Sequence, residues 1–287
     1  IDIDRLEQSL KRIIGRHESL RTVFVERDGV PVQKIISQFE FRVEVMEGSS
    51  GGTPEGFAAD ELGRSFDLSK DLMLRAKLVR IGEDDQILLL TMHHIASDGW
   101  SIGVLLSELC TFYNNEESTL PDLEVQYAEY GQWQRQKLES ETARGQMDYW
   151  QSQLADAPRT IDLPTDYARP SRQSYEGRMH FFELPEELSA GLEKLSQKAG
   201  TTLFMTLLTG FATVLSRYTG QKDIVVGCPV SNRPRQELEG LVGFFVNTLP
   251  IRVDLRSNPT VMDLLARVRE SALGAYANQN VPFEQIV

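Results

Sequence analysis

The sequence is poor in cysteine and histidine and short of positive charge, and each shortage removes a class of explanation. Two cysteines, Cys110 and Cys228, stand in 287 residues. Cys110 falls in an apolar helical pattern and Cys228 in an apolar strand pattern. Both read as small buried hydrophobes in a reducing compartment, not as a disulfide framework. Lysine and arginine number 30 against 42 aspartates and glutamates, a formal net charge of −12. A field of that sign disfavours nucleic acid, whose phosphates want clustered cations. No apolar run reaches the ~20 residues that span a bilayer, and no basic-then-apolar leader opens the chain. A cytoplasmic protein without nucleic-acid or membrane partners is expected. The opening Ile1-Asp2-Ile3-Asp4 lacks an initiator Met, so Ile1 is not expected to be a natural N-terminus. The four histidines include no His-Glu-x-x-His pattern, which weighs against a metal site.

What is present is ordinary for a soluble globular chain: 41% apolar and 25% charged residues. The length suffices for two packed lobes or one large domain. Ile3, Leu6, Leu10, Ile13 and Ile14 have helical spacing, with Asp2 or Asp4 as cap and Gly15 as stop. Strands are predicted at 20–25 and 30–36 around Asp28-Gly29, and a third near 41–45. A glycine-rich loop at 48–52 and a short helix at 54–63 follow. Strands at 72–81 and 86–92 flank a turn at 82–85. Ser101 is placed as the cap of a helix whose stripe is Ile102, Leu105, Leu106, Leu109, Phe112 and Tyr113. The polar stretch 114–122 marks the expected lobe boundary, giving an N-terminal lobe at 1–120 and a second lobe at 121–287. Beyond it come helices at 126–138 and 143–155 and a Pro-rich connection at 156–177. Then come a strand at 178–184, helices at 186–199 and 201–218, strands at 223–229 and 241–253, and a helix at 260–276. The fold class is α/β or α+β, as two-layer lobes.

The chemistry concentrates at Met92-His93-His94-Ile95-Ala96-Ser97-Asp98-Gly99-Trp100-Ser101, where a strand runs through a tight loop into a helix. A helix N-terminus disfavours an imidazolium and so helps keep a nearby histidine neutral and able to accept a proton. Side chains alternate along an extended strand, so His93 and His94 point to opposite sides and one of them faces any given cavity. Asp98 can orient the loop or pair with a cation. Gly99 permits a close approach that a side chain would block. Satisfied core histidines, metal ligands and a plain Asp-Gly turn are the competing readings. Adjacent histidines beside Asp-Gly make an odd core, and the turn is compatible with catalysis.

These residues resemble the HHxxxDG signature of the condensation domains of non-ribosomal peptide synthetases, within the chloramphenicol acetyltransferase-like superfamily. Four more stretches match in order. Arg16-His17-Glu18-Ser19-Leu20-Arg21-Thr22-Val23-Phe24 resembles RHExLRTxF. The segment Tyr127 to Trp133 is similar to YxDFAxW, with Glu129 for Asp and Gly131 for Ala. Val242-Gly243-Phe244-Phe245-Val246-Asn247-Thr248 resembles VGxFVNT. Asn278 to Glu284 is similar to NQDxPFE, with Asn280 for Asp.

The resemblance implies a pseudo-dimer of two lobes with a tunnel between them. Upstream and downstream peptidyl carrier domains, beside an adjacent adenylation domain, would present acyl groups on 4′-phosphopantetheine arms, with no cofactor bound directly. The acceptor amine would attack the donor thioester, with His94 as base or as positioner; the sequence leaves both roles open. His93, Asp98 and Gly99 complete the implied catalytic loop. Arg16, with Arg21 as the weaker choice, is expected to pair with Asp98, since a buried aspartate needs a cation and arginine suits it best. Trp100, Ser101 and Asn247 are possible channel residues. Trp100-Ser101 and Leu163-Pro164-Thr165-Asp166 resemble the subtype that joins two L-residues. The alternatives are an epimerization domain of the same superfamily and a non-catalytic carrier-docking domain. Family motifs expected before and after these segments are missing, so the chain reads as truncated at both ends, with an incomplete second lobe and no activity in isolation.

Overall fold

The computed structural model describes residues 1–48, 52–82, 85–174, 177 and 179–287. The loop expected at 48–52 and the turn expected at 82–85 lie partly outside them. The described residues group into two compact units. The first comprises Ile1–Lys137 and Ser231–Val246, the second Leu138–Val230 and Asn247–Val287. The sequence reading places one break at 120/121, whereas these units divide after Lys137 and exchange the chain again at 231 and 247. The physical reason is aromatic packing. Tyr127, Tyr130 and Trp133 form one apolar cluster with Leu238, Leu241 and Phe245, and so stay with the first unit.

In the first unit, α1 (Ile3–Arg16) is capped by Asp2, whose side chain accepts from the Arg5 amide. Gly15 does not stop this helix, which runs on to Arg16. A 3-10 turn at Glu18–Arg21 leads into β1 (Thr22–Arg27), paired antiparallel with β2 (Val30–Ile35). Asp28 and Gly29 between them both have positive φ, 54° and 76°, the geometry of a type I′ hairpin turn. A second sheet has the order β3-β4-β5, from Glu44–Glu47, Leu74–Arg80 and Gln86–Met92. β3 runs parallel to β4, which a connection through α2 (Pro54–Leu62) allows; β5 runs antiparallel to β4. Leu6, Leu10, Ile13 and Ile14 of α1 and Leu105, Leu109 and Phe112 of α3 (Gly99–Asn114) share a core with Leu74, Ala76 and Leu78 of β4. Cys110 lies on the outer face of α3 and is exposed, contrary to its sequence reading, whereas Cys228 is buried. The unit also holds α4 (Tyr127–Leu138) up to its junction.

In the second unit, α5 (Glu141–Leu154), α6 (Glu186–Ala199) and α7 (Leu203–Thr219) precede β6 (Asp223–Val230). β6 pairs antiparallel with β7 (Asn247–Asp254), and α8 (Val261–Ala277) and α9 (Phe283–Ile286) follow. Ile224, Cys228, Leu249, Ile251 and Val253 pack with Met205, Leu208 and Ala212 of α7 and with Leu264, Val268 and Ala272 of α8. Among the described residues 179–184 carry no strand. Met179 and Phe181 are 83% and 82% exposed. Apolar residues recur in this segment, but among the described residues no strand pairs with it. The strand expected at 241–253 begins only at Asn247.

Candidate active site

β5 delivers the histidine loop. Its last pair is Met92 opposite Leu74, and the His93 amide adds one more bond, 3.0 Å to the Met73 carbonyl. The chain then folds into a 3-10 turn, His94–Ala96, before α3 begins at Gly99. His93 is the cap of that turn: its Nδ1 accepts from the Ile95 amide at 3.0 Å. Phe66 packs edge-on to its ring at 5.5 Å. Burial first, and the neighbouring His94 second, push its pKa down.

His94 faces outward and is exposed. Its Nδ1 lies 2.6 Å from the Ser97 carbonyl oxygen. A carbonyl only accepts, so Nδ1 carries the proton, and in the neutral ring Nε2 holds the lone pair. Among the described residues no donor occupies that lone pair. The Phe244 ring meets the imidazole edge-on at 5.1 Å and limits its rotation.

Asp98 caps α3, a role the sequence reading assigned to Ser101, which instead sits in the first helical turn. The Asp98 Oδ1 accepts from the Ser101 amide at 2.9 Å and hydroxyl at 2.7 Å, and Oδ2 from the Phe245 amide at 3.0 Å. Its cation is Arg233, with Nη2 at 3.2 Å and both side chains almost wholly buried. Burial alone would raise the Asp98 pKa. The Ser101 and Phe245 bonds and the Arg233 charge outweigh it and hold the carboxyl below its ordinary value. Burial lowers the pKa of Arg233 and Asp98 works against that shift; a guanidinium stays charged regardless. Arg233 also donates to the Leu238 and Leu241 carbonyls and lies over Phe245, 4.0 Å from its centroid.

The expected Arg16–Asp98 pair is therefore corrected. Arg16 Nε binds Glu108 Oε1 at 2.9 Å. Glu108 lies ten residues along α3 from Asp98, about 15 Å at 1.5 Å per residue, and the end of α1 meets α3 at that far level. His17 is buried in the same group, with Nε2 2.9 Å from Glu108 Oε2 and Nδ1 accepting from the Val242 amide at 3.3 Å. Arg21 is not in the Asp98 network either; it donates to the Ile36 carbonyl at 2.9 Å and pairs with Glu18.

Segment 242–245 forms no ladder because side chains take its backbone groups. Ser19 donates to the Val242 carbonyl, the Ser101 hydroxyl oxygen accepts from the Gly243 amide at 3.1 Å, and Tyr127 donates to the Phe244 carbonyl. Gly243 is required here, since a Cβ would sit 2.5 Å from the Tyr127 ring.

Two of the three possible channel residues are closed off. Ser101 is wholly buried. Asn247 is buried with four bonds: Nδ2 to the Gln279 and Val281 carbonyls, Oδ1 from the Thr248 and Phe283 amides. Trp100 is half exposed and donates from Nε1 to the Glu239 carbonyl at 2.8 Å. Gly99 is exposed, and a Cβ there would meet no protein atom within 4 Å. Sequence reasoning missed Arg233, His17 and Glu108. Glu108 had a visible signal, an acid within an apolar helical stripe. Arg233, in Asn232-Arg233-Pro234-Arg235, had none that singles it out from the other arginines. Among the described residues no group of three or more His, Cys, Asp or Glu side chains is arranged to hold a metal ion.

The site thus presents an outward imidazole whose inner nitrogen is tied to the backbone, on a loop locked by a buried Asp–Arg pair. The family model for the condensation domain matches residues 1–287, and the chain belongs to that family. It is 46% identical over 297 residues to one of the linear gramicidin synthase proteins of Brevibacillus parabrevis, covering 100% of this chain and 4% of that protein. Bacitracin synthase 3 of Bacillus licheniformis is 40% identical over 286 residues, covering 100% and 4%. The crystal structure of the X-domain from teicoplanin biosynthesis aligns with a TM-score of 0.91 at 29% identity, covering 100% of this chain and 65% of that one. The chain thus spans a small part of the synthases it matches. The fold is that of condensation domains in the chloramphenicol acetyltransferase-like superfamily.

Proposed function

We propose that the chain forms amide bonds between carrier-bound substrates in a non-ribosomal peptide synthetase. A downstream carrier presents an aminoacyl amine and an upstream carrier an acyl thioester, both on 4′-phosphopantetheine arms. The amine nitrogen attacks the thioester carbonyl, the carbon–nitrogen bond forms and the carbon–sulfur bond breaks. The proton shed by nitrogen passes to His94 Nε2 and on to the departing sulfur. The observation that carries this reading is the 2.6 Å contact from His94 Nδ1 to the Ser97 carbonyl, which leaves Nε2 as the accepting atom.

In this reading the ring holds the amine and relays a proton, with alignment of two tethered reactants supplying most of the acceleration. An epimerization domain would need a second free acid or base. Asp98 and Glu61, the two acids on the cavity beside His94, are both spent in ion pairs. The subtype that joins two L-residues is supported by the Trp100-Ser101 sequence and by Leu163 to Asp166.

The test is made on the synthetase carrying this domain, with both carriers loaded, by mass spectrometry of carrier-bound dipeptide. His94→Ala is expected to lower product formation by about 100-fold, within the usual range for a general acid–base group, and a D-configured donor to couple more slowly than its L-form. Equal product from His94→Ala and wild type would refute the proposed role of His94.

A further inference from the structure

A cavity of about 620 Å³ opens beside His94 within the first unit. Its walls come from β5, α2 and the first turns of α3, with His94 itself on the rim. The α3 wall presents Ile102 and Leu106, one turn apart and 50% and 46% exposed, and the α2 wall presents Leu62, 76% exposed. Leu90 of β5 lines the floor. Large aliphatic side chains so exposed around one concavity are unusual on a folded surface unless something apolar fills it. The volume falls within the ~300–1,000 Å³ typical of small-molecule sites.

The charged groups on this wall are spoken for. Glu61 lies 2.8 Å from Arg75 Nε, 2.8 Å from Lys77 Nζ and 3.0 Å from Arg64 Nη1, and Asp98 is paired with Arg233. A charged ligand group would lose its water and find no free counter-ion.

We propose that this cavity seats an apolar side chain of one of the two tethered substrates while its reacting atom lies at His94, and that Ile102 and Leu106 set the size accepted. The assignment rests on the condensation reading and goes beyond it by giving the site a substrate class: residues with aliphatic or aromatic side chains, in preference to charged ones. The chemistry is the same for donor and acceptor, so the experiment separates them.

Rates of dipeptide formation are measured on the synthetase with loaded carriers. In one arm the acceptor is glycine, leucine, phenylalanine or aspartate with alanine as donor; in the other the donor is varied against alanine as acceptor. Wild type is expected to prefer phenylalanine or leucine over glycine and aspartate in one arm by about ten-fold or more, the scale on which apolar pockets discriminate. Ile102→Trp and Leu106→Trp, which fill the cavity from half-exposed positions, are expected to lower the phenylalanine-to-glycine rate ratio in that arm by about ten-fold. Melting temperatures of both variants confirm folding. Two outcomes overturn the assignment: no side-chain preference in either arm, or a rate ratio that neither filling variant changes. Absence of amide product from wild type with every pair would overturn the condensation reading itself, and this assignment with it.

Discussion

Asp98 and Arg233 show how one buried pair carries a loop. The carboxylate caps α3, takes the Phe245 amide and neutralises a guanidinium that in turn holds the Leu238 and Leu241 carbonyls. Removing one member leaves the other charged and unpaired among apolar groups, which costs on the order of 3–5 kcal/mol. Arg233→Ala is therefore expected to lower the urea midpoint strongly. Arg16→Ala, whose partner Glu108 keeps His17, is expected to cost clearly less. Equal losses in equilibrium urea unfolding would contradict this ranking. That Asp98 pairs with an arginine was an expectation of the family resemblance, in keeping with what a buried aspartate needs. Which arginine was not legible, because Arg233 comes 135 residues later and only packing brings it there.

Among the helices and strands, motifs far apart in the chain act as clamps on each other. The 16–24 segment and α3 hold 242–245 through His17, Ser19 and Ser101. Asn247 at the start of β7 ties down the 279–283 turn ahead of α9. Asn247→Ala is expected to leave two carbonyls and two amides without partners, at roughly 1–3 kcal/mol for each group that stays buried. Hydrogen exchange at the Phe283 amide should accelerate before the rest of β7 opens; unchanged protection there would remove Asn247 from this role. Helices and hairpins were readable because their signals are local: α6 spans 186–199 as its periodicity predicts, and Asp28-Gly29 makes its turn. The strand expected at 178–184 and the first part of the one expected at 241–253 are absent among the described residues for one reason. An apolar pattern says that a segment has faces to bury, not that a neighbouring strand exists, and at 242–245 side chains answer the backbone instead.

Across the chain taken together, buried acids contribute to the response to pH. Asp98, Glu61 and Glu7 all have lowered pKa values: burial opposes each, and hydrogen bonds with nearby cations outweigh it. Between the folded and unfolded values the unfolded chain binds more protons, so stability rises with pH there. Their contribution is complete above the ordinary carboxylate range of about 4 and is lost as pH falls through the lowered values. The urea midpoint is expected to stay flat from pH 7 to about 5 and to drop below about 4. Asp98→Asn, less stable at neutral pH, should show a shallower acid drop. An equally steep drop would mean that other groups control it.

The order of amino acids was enough to establish the class of fold, most helices, the hairpin at Asp28-Gly29 and the loop that carries His94, because capping, periodicity and turn chemistry act over a few residues. It also carried the resemblance that the family match bears out. Folding in three dimensions was needed to choose Arg233 as the partner of Asp98, to give Arg16 and His17 to Glu108, to make buried ties of Ser101 and Asn247, and to return segment 231–246 to the first unit. Those outcomes depend on which of many chemically equivalent cations, hydroxyls and amides packing brings within about 3 Å, and adjacency in space leaves no mark on spacing along a chain.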